Sequence, residues 1–289
     1  MNIKKIFIFL LIFQIFISCS QKKDIQGTSK KEIKIAYVLG GGAFRGYSHI
    51  GVLKILESNN IYPDFIVGTS VGSLVGALYA TGMDSHELQK LSLSFVSNSL
   101  MDFSFLNPGF FDKNTLKRLL DRHLPENFTS LKTKFYAVAT NLNTGDPVLF
   151  STGDLRKSVL ASCSIPILFA PEYIKNIPYG DGGLVSPLPV NFAKNLGADI
   201  IISSDISLKP DTIELEAGKF SLFLQSLKIM NKSLTKHEEK NSTFIIKVDT
   251  NFLSSFSDKT REMAILKGEE AAKKVVNDLK LLIEKKSLN

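Results

Sequence analysis

Tryptophan is absent from the 289-residue chain, and cysteine, histidine and arginine are scarce. Two cysteines, Cys19 and Cys163, do not support a disulfide framework. Ten prolines and 19 glycines are too few for a fibrous or disordered chain. The basic residues are nearly all scattered lysines, with no run interleaved with aromatics, which argues against nucleic acid as a partner. No metal-ligating constellation is visible, and no cofactor is expected. What remains is an ordinary globular composition, 44% hydrophobic and 22% charged, with 21 phenylalanines to supply aromatic core. The net charge of +7 would suit an anionic lipid surface, although a solvated lysine-rich face explains it more simply.

Residues 1–18 read as a signal peptide: Lys4 and Lys5, then an apolar stretch from Ile6 to Ile17 broken only by Gln14. That stretch is too short to span a bilayer comfortably. Cys19 follows Ser18, and the segment resembles a bacterial lipobox, with Phe16 where Leu is usual. The resemblance implies lipidation of Cys19, export, and anchoring to a membrane of a bacterial envelope. The alternative is an ordinary signal, or an uncleaved anchor, with an incidental cysteine. Polar residues 19–32, with Gly27, Thr28 and Ser29, read as a tether.

Phe65, Ile66 and Val67 lead into Gly68-Thr69-Ser70-Val71-Gly72, and Val71, Leu74, Val75 and Leu78 continue at helical spacing. The pattern reads as strand, sharp turn and helix, with Ser70 at the corner. Gly68 and Gly72 supply the small neighbours such a corner needs. The helix start would also bring unpaired N–H groups near an anion formed there. Alone, Gly-x-Ser-x-Gly is weak evidence, because small-residue helix starts are common.

Residues 33–39 are a strand candidate running into Gly40-Gly41-Gly42-Ala43-Phe44-Arg45-Gly46. His49, Val52, Leu53 and Leu56 then repeat at helical spacing. Strand, glycine loop and helix make an anion cradle. A dinucleotide site would need Gly-x-Gly-x-x-Gly, which fails at Ala43 or at Arg45 depending on the first glycine counted. An oxyanion hole serving Ser70 fits better, since both turns would share the carboxyl edge of a parallel sheet. His49, on an apolar helix face, reads as a core histidine rather than a base.

Residues 81–126 look helical, with breaks at Gly82 and at Asn107-Pro108-Gly109. Their apolar bulk (Leu91, Phe95 and several residues of 100–111) reads first as core and alternatively as a lid or acyl-chain groove. Further strands are expected at 134–140, 147–150, 199–203 and 243–248, and helices at 155–162, 215–240 and 258–285. Cys163 lies among small and apolar residues and reads as an inert thiol. Tyr179-Gly180-Asp181-Gly182-Gly183 puts one carboxylate in a turn. It is either a plain β-turn or a base whose backbone must approach a site closely. His237 would complete a Ser–Asp–His order. Its neighbours Lys236, Glu238, Glu239 and Lys240 favour a solvated face instead.

Taken together, these motifs resemble those of the patatin-like phospholipase family. Gly40 to Leu53 is similar to the family's Gly-Gly-Gly-x-x-Arg-Gly loop and the helix after it, and Gly68 to Gly72 to its Gly-x-Ser-x-Gly. Ala161 to Pro166 is similar to its Ala-Ser-x-x-x-Pro, and Asp181 to Gly183 to its Asp-Gly-Gly. The resemblance covers residues 33–205. It implies a serine acyl hydrolase acting on membrane phospholipid or lysophospholipid through a Ser70–Asp181 dyad without histidine. It implies an oxyanion hole from the N–H groups of Gly41, Gly42 and Ala43, with Gly68, Gly72, Gly182 and Gly183 in support. Arg45 would either support the loop or meet a phosphate. Ala43 stands where many members have glycine, and its methyl group is expected to fit at negative φ. The alternative function is a surface lipoprotein that keeps the fold to bind lipid or protein without turnover.

Alternating strands and helices predict a three-layer α/β/α sandwich with a largely parallel central sheet. The expected organisation is a signal peptide at 1–18, a lipidated tether at 19–32, a catalytic domain at 33–248, and a C-terminal helix within 249–289 packed on that domain.

Overall fold

The computed structural model describes residues 33–94, 113–207, 210, 218–250 and 258–288. The signal peptide, the tether with Cys19, Phe95 and the apolar run of 100–111 lie outside these residues. Among the described residues, no helix is long and apolar enough to cross a membrane.

Continuous apolar runs form the middle of the sheet. β1 (Ile35–Leu39) and β2 (Phe65–Thr69) are buried almost throughout, as parallel strands covered on both faces must be. β3 (Lys134–Asn141), β7 (Ile200–Asp205) and β8 (Phe244–Lys247) join them in the parallel order β3-β2-β1-β7-β8. Beyond β3 the sheet turns antiparallel, with β4 (Pro147–Phe150), β5 (Glu172–Ile174) and β6 (Ile177–Asp181). The hairpin of β5 and β6 has no clear sequence signal. Its two-residue turn needs positive φ at both positions and uses Lys175 (φ 53) and Asn176 (φ 64) instead of the usual Asn-Gly.

The two faces of the sheet carry unequal layers. Tyr37, Leu39, Ile66 and Ile202 face a thick layer. It comprises α1 (Tyr47–Ser58), α2 (Val71–Ala80), α3 (Ser85–Ser94), α4 (Lys113–His123) and α5 (Leu155–Ser162), with the C-terminal helices outside. Ala36, Val38, Val67 and Ile201 face a thin layer built on α6 (Val190–Asn195), through Val190 and Ala193. The expected three-layer sandwich is therefore present.

The C-terminal segment differs from expectation. It is two helices rather than one, α8 (Asp258–Lys273) and α9 (Val276–Ser287), and α8 packs chiefly on α1, with a smaller contact to β8. Glycine makes that crossing possible. A Cβ on Gly51 would lie 1.9 Å from the Ile265 carbonyl oxygen, and one on Gly268 would lie 2.0 Å from that of Ser48. Lys54 Nζ closes the pair with Glu269 Oε1 at 2.6 Å. Because α8 covers its outer side, α1 is buried well beyond one helical stripe.

Candidate active site

Sheet register brings the serine and the aspartate together. Thr69 of β2 stands opposite Val138 of β3, and Asp181 of β6 stands opposite Ala139, one residue further along. Ser70 follows Thr69, so it is level with Asp181 across a single strand. The Ser70 hydroxyl donates to Asp181 Oδ2 at 2.6 Å. The other carboxylate oxygen accepts the Gly183 N–H at 2.7 Å, and the Thr140 hydroxyl donates to the Asp181 carbonyl at 2.7 Å. A Cβ on Gly182 would fall 2.2 Å from the Val138 carbonyl oxygen, so the chain can turn here only with glycine.

Ser70 sits at φ 54, ψ −127, a conformation that costs a non-glycine residue about 1–3 kcal/mol. Its surroundings enforce it. The backbone at Gly68 and Gly72 leaves no room for side chains, a Cβ on Gly72 lying 2.1 Å from the Leu39 carbonyl oxygen. The Ser70 N–H donates to Ser162 Oγ at 2.9 Å, and Ser162 Oγ donates in turn to the Val138 carbonyl at 2.6 Å. Ser73 Oγ donates to the Ser70 carbonyl at 2.7 Å. The small-residue segment at Ala161-Ser162 thus anchors the serine turn.

The glycine loop passes beside this corner, and the structure corrects two expectations about it. First, the Gly41 N–H is not free for an oxyanion, because it donates to the Pro187 carbonyl at 2.8 Å. The N–H groups of Gly42 and Ala43 have no partner among the described residues and remain as the loop's donors. Second, Ala43 has φ +51, not a negative value. Its methyl group is carried in the left-handed region, at a cost of roughly 1–2 kcal/mol relative to an unstrained residue. Arg45 is buried with its guanidinium 4.5 Å from the centre of the Phe44 ring.

No histidine hydrogen-bonds Ser70 or Asp181 among the described residues. His237 is exposed. His49 is fully buried: its Nε2–H donates to the Gly40 carbonyl at 2.9 Å, leaving Nδ1 to accept the Ser204 hydroxyl at 2.8 Å. Burial holds its pKa down at about 4, so it is a neutral tie between loop and β7, as a core histidine should be. Burial pushes Asp181 up to about 6, against the pull of its bonds from Ser70 and Gly183. Cys163 is buried, and desolvation followed by the Asp181 charge raises its thiol pKa far above the usual range, which makes it inert.

Next to the corner, a narrow apolar cleft lies between the loop, α1, α2, α3 and α4. Phe44, Tyr47, Val71, Leu78, Leu91 and Leu119 are among its apolar walls. Leu91, part of the apolar bulk noted in the sequence, packs against the core and lines this cleft.

Sequence reasoning passes over three polar residues of this region, Ser162, Ser186 and Glu238. Each is buried and hydrogen-bonded, and none belongs to an apolar periodicity. Ser162 alone had a signal, its place in the Ala-Ser-x-x-x-Pro motif.

Fold and site together define an α/β protein built around a strand–serine–helix turn with a buried aspartate partner. The family model described as Patatin-like phospholipase matches residues 37–194, more than half of the chain, and the chain belongs to that family. Among relatives, Patatin-like phospholipase domain-containing protein 6 of Mus musculus is 32% identical over 190 residues, 62% of this chain and 14% of that protein. Lysophospholipase nte1 of Aspergillus fumigatus is 30% identical over 201 residues, 65% of this chain and 13% of that protein. The chain therefore spans only about an eighth of the length of these relatives. The crystal structure of VipD from Legionella pneumophila shares the fold at a TM-score of 0.51 and 14% identity, over 86% of this chain and 67% of that one.

Proposed function

We propose that the chain is a serine acyl hydrolase that releases fatty acid from phospholipid or lysophospholipid. The observation that carries this reading is the 2.6 Å hydrogen bond from the strained Ser70 to the buried Asp181. A protein that only binds lipid needs neither the strain nor the buried carboxylate.

In the proposed reaction, Ser70 Oγ attacks the ester carbonyl carbon while its proton passes to Asp181 Oδ2. The carbonyl oxygen becomes an oxyanion, held by the N–H groups of Gly42 and Ala43 at the positive end of the short helix that follows. When the tetrahedral centre collapses, the lysolipid or glycerophosphate alkoxide leaves with the proton from Asp181. Water then enters and gives one proton to Asp181 as its oxygen bonds to the acyl carbon. When this second tetrahedral centre collapses, the bond to Ser70 Oγ breaks, the fatty acid leaves, and Ser70 Oγ takes the proton back from Asp181. The same carboxylate serves as base and acid, so a histidine is not required. The apolar cleft lined by Phe44 and Val71 is the natural place for the acyl chain, since it begins one residue from the nucleophile.

Fatty-acid release from lysophosphatidylcholine in mixed micelles tests the reading. Wild type should release fatty acid and Ser70→Ala should not. Equal release by both would overturn the nucleophile assignment.

We further propose that Cys19 is lipidated and anchors the domain at its substrate. The sequence pattern is its support, and several acyl chains on one residue suffice for durable attachment at about 0.8 kcal/mol per buried CH₂. Cys19→Ser should leave the membrane fraction and lose the lipid mass. Retention on membranes would contradict the anchor.

A further inference from the structure

The segment between the Asp-Gly-Gly turn and α6 touches both halves of the site. The Ser186 carbonyl accepts the hydroxyl of Thr69, the residue before the nucleophile, at 2.8 Å. The Pro187 carbonyl accepts the Gly41 N–H at 2.8 Å. Two consecutive carbonyls therefore set the nucleophile strand and the glycine loop relative to each other. Their stretch, Ser186 to Leu188, is held in turn by one side chain from another element. Glu238, the last residue of α7 (Lys219–Glu238), accepts the Ser186 hydroxyl on Oε1 at 2.5 Å and the Leu188 N–H on Oε2 at 3.1 Å.

Glu238 is 6% exposed and forms no ion pair among the described residues. Burying a carboxyl group costs free energy, which its hydrogen bonds only offset. Burial accordingly raises its pKa to about 7. If stability alone were at issue, an apolar side chain would fill the position at least as well. Both carboxyl oxygens are instead spent on the one strap that carries the two aligning carbonyls. The neighbouring His237 is exposed and has no such role.

We propose that Glu238 is a positioning residue of the hydrolytic site, fixing through Ser186 and Leu188 the two carbonyls that align the nucleophile strand with the glycine loop. The inference rests on the hydrolase reading above. It adds a third element, the end of α7, to the machinery.

The test uses the full chain with p-nitrophenyl butyrate and a fluorophosphonate, and compares Glu238→Ala, Glu238→Gln and Thr235→Ala. Thr235 is buried one turn earlier on the same helix and takes no part in the strap. Glu238→Ala should lower kcat and the labelling rate of Ser70 about tenfold, with KM within twofold. Glu238→Gln can accept from Leu188 and donate to Ser186, and should recover most of the rate. Thr235→Ala should change neither rate. A folded Glu238→Ala with wild-type kcat would overturn the proposal, as would a Gln variant no better than Ala. Should Glu238→Ala fail to fold, Ser186→Ala removes one of the two bonds from the other side. It should lower kcat about threefold, and an unchanged kcat there overturns the proposal as well.

Hydrogen exchange separates this inference from the reading beneath it. Glu238→Ala, or Ser186→Ala in its place, should speed exchange at Leu188 and Gly41 whether or not the wild type hydrolyses any ester. Unchanged exchange at both would overturn the strap itself. A wild type that Ser70 labelling leaves unmodified would instead overturn the hydrolase reading.

Discussion

Glycine brings backbone against backbone at several places among the described residues, and two of them invite comparison. One is the corner of Gly68, Ser70 and Gly72 beside the glycine loop, and the other is the crossing of α1 and α8 at Gly51 and Gly268. In both, a Cβ would lie near 2 Å from a carbonyl oxygen. The resemblance stops there. Around the corner, Ser70 and Ala43 are held at positive φ, and a carboxyl group is buried with its pKa raised to about 6. At the crossing, Gly51 and Gly268 lie within regular helix, and Lys54 and Glu269 pair across it. Close packing alone is architecture. Close packing with backbone strain and an unfavourably buried acid is the combination that the proposed chemistry would require.

Four substitutions sharpen or break that contrast. The largest effect should come from Ser70→Ala, which should lower ester hydrolysis about 10³-fold or more with no loss in unfolding midpoint. A large drop in midpoint would make the corner architectural like the crossing. Gly268→Val should do the reverse, destabilising by about 3 kcal/mol in urea while leaving kcat per folded molecule unchanged. Loss of kcat in the folded fraction would couple the crossing to the site.

Asp181→Asn comes third and is a matter of pH. The folded-state pKa of about 6 lies above the ordinary 3.8, so ionising Asp181 in the folded protein costs stability. That cost is absent below about pH 4, grows between 4 and 6, and is complete above 6. The Asn variant should therefore be more stable than wild type by about 2–3 kcal/mol at pH 8, and by little at pH 4. An advantage that shrinks as pH rises would contradict the burial account. The smallest effect should be that of Ala43→Gly, a gain of about 1 kcal/mol in urea unfolding without loss of activity, because glycine accepts φ +51 freely. A destabilised glycine variant would mean that the Ala43 methyl contributes more through packing than its conformation costs.

Much of the fold was legible because apolar runs and helical spacing are local. β2, α5 and the strand–loop–helix order around Gly40 and Ser70 can be read directly. The hairpin ending at Asp181 was not, since its turn uses Lys175 and Asn176 where the usual signal is Asn-Gly. The pairing of Ser70 with Asp181 was inferable only through the family resemblance. What makes it physical is a register across β3 that no local pattern encodes. The commitment of the Gly41 N–H to Pro187 and the positive φ of Ala43 were likewise out of reach, because each depends on a segment more than a hundred residues away or on backbone geometry. Glu238 was hidden in a run of charges that reads as solvated.

The central claim is that Asp181, and no histidine, activates Ser70. The direct measurement is the rate at which a fluorophosphonate modifies Ser70 as a function of pH, with the adduct located by peptide mass. The account predicts a single adduct on Ser70, a rate that rises through a midpoint near pH 6 as Asp181 ionises, and almost no labelling of Asp181→Asn at any pH. Wild-type labelling of Asp181→Asn, or a midpoint that disappears in His237→Ala, would contradict it.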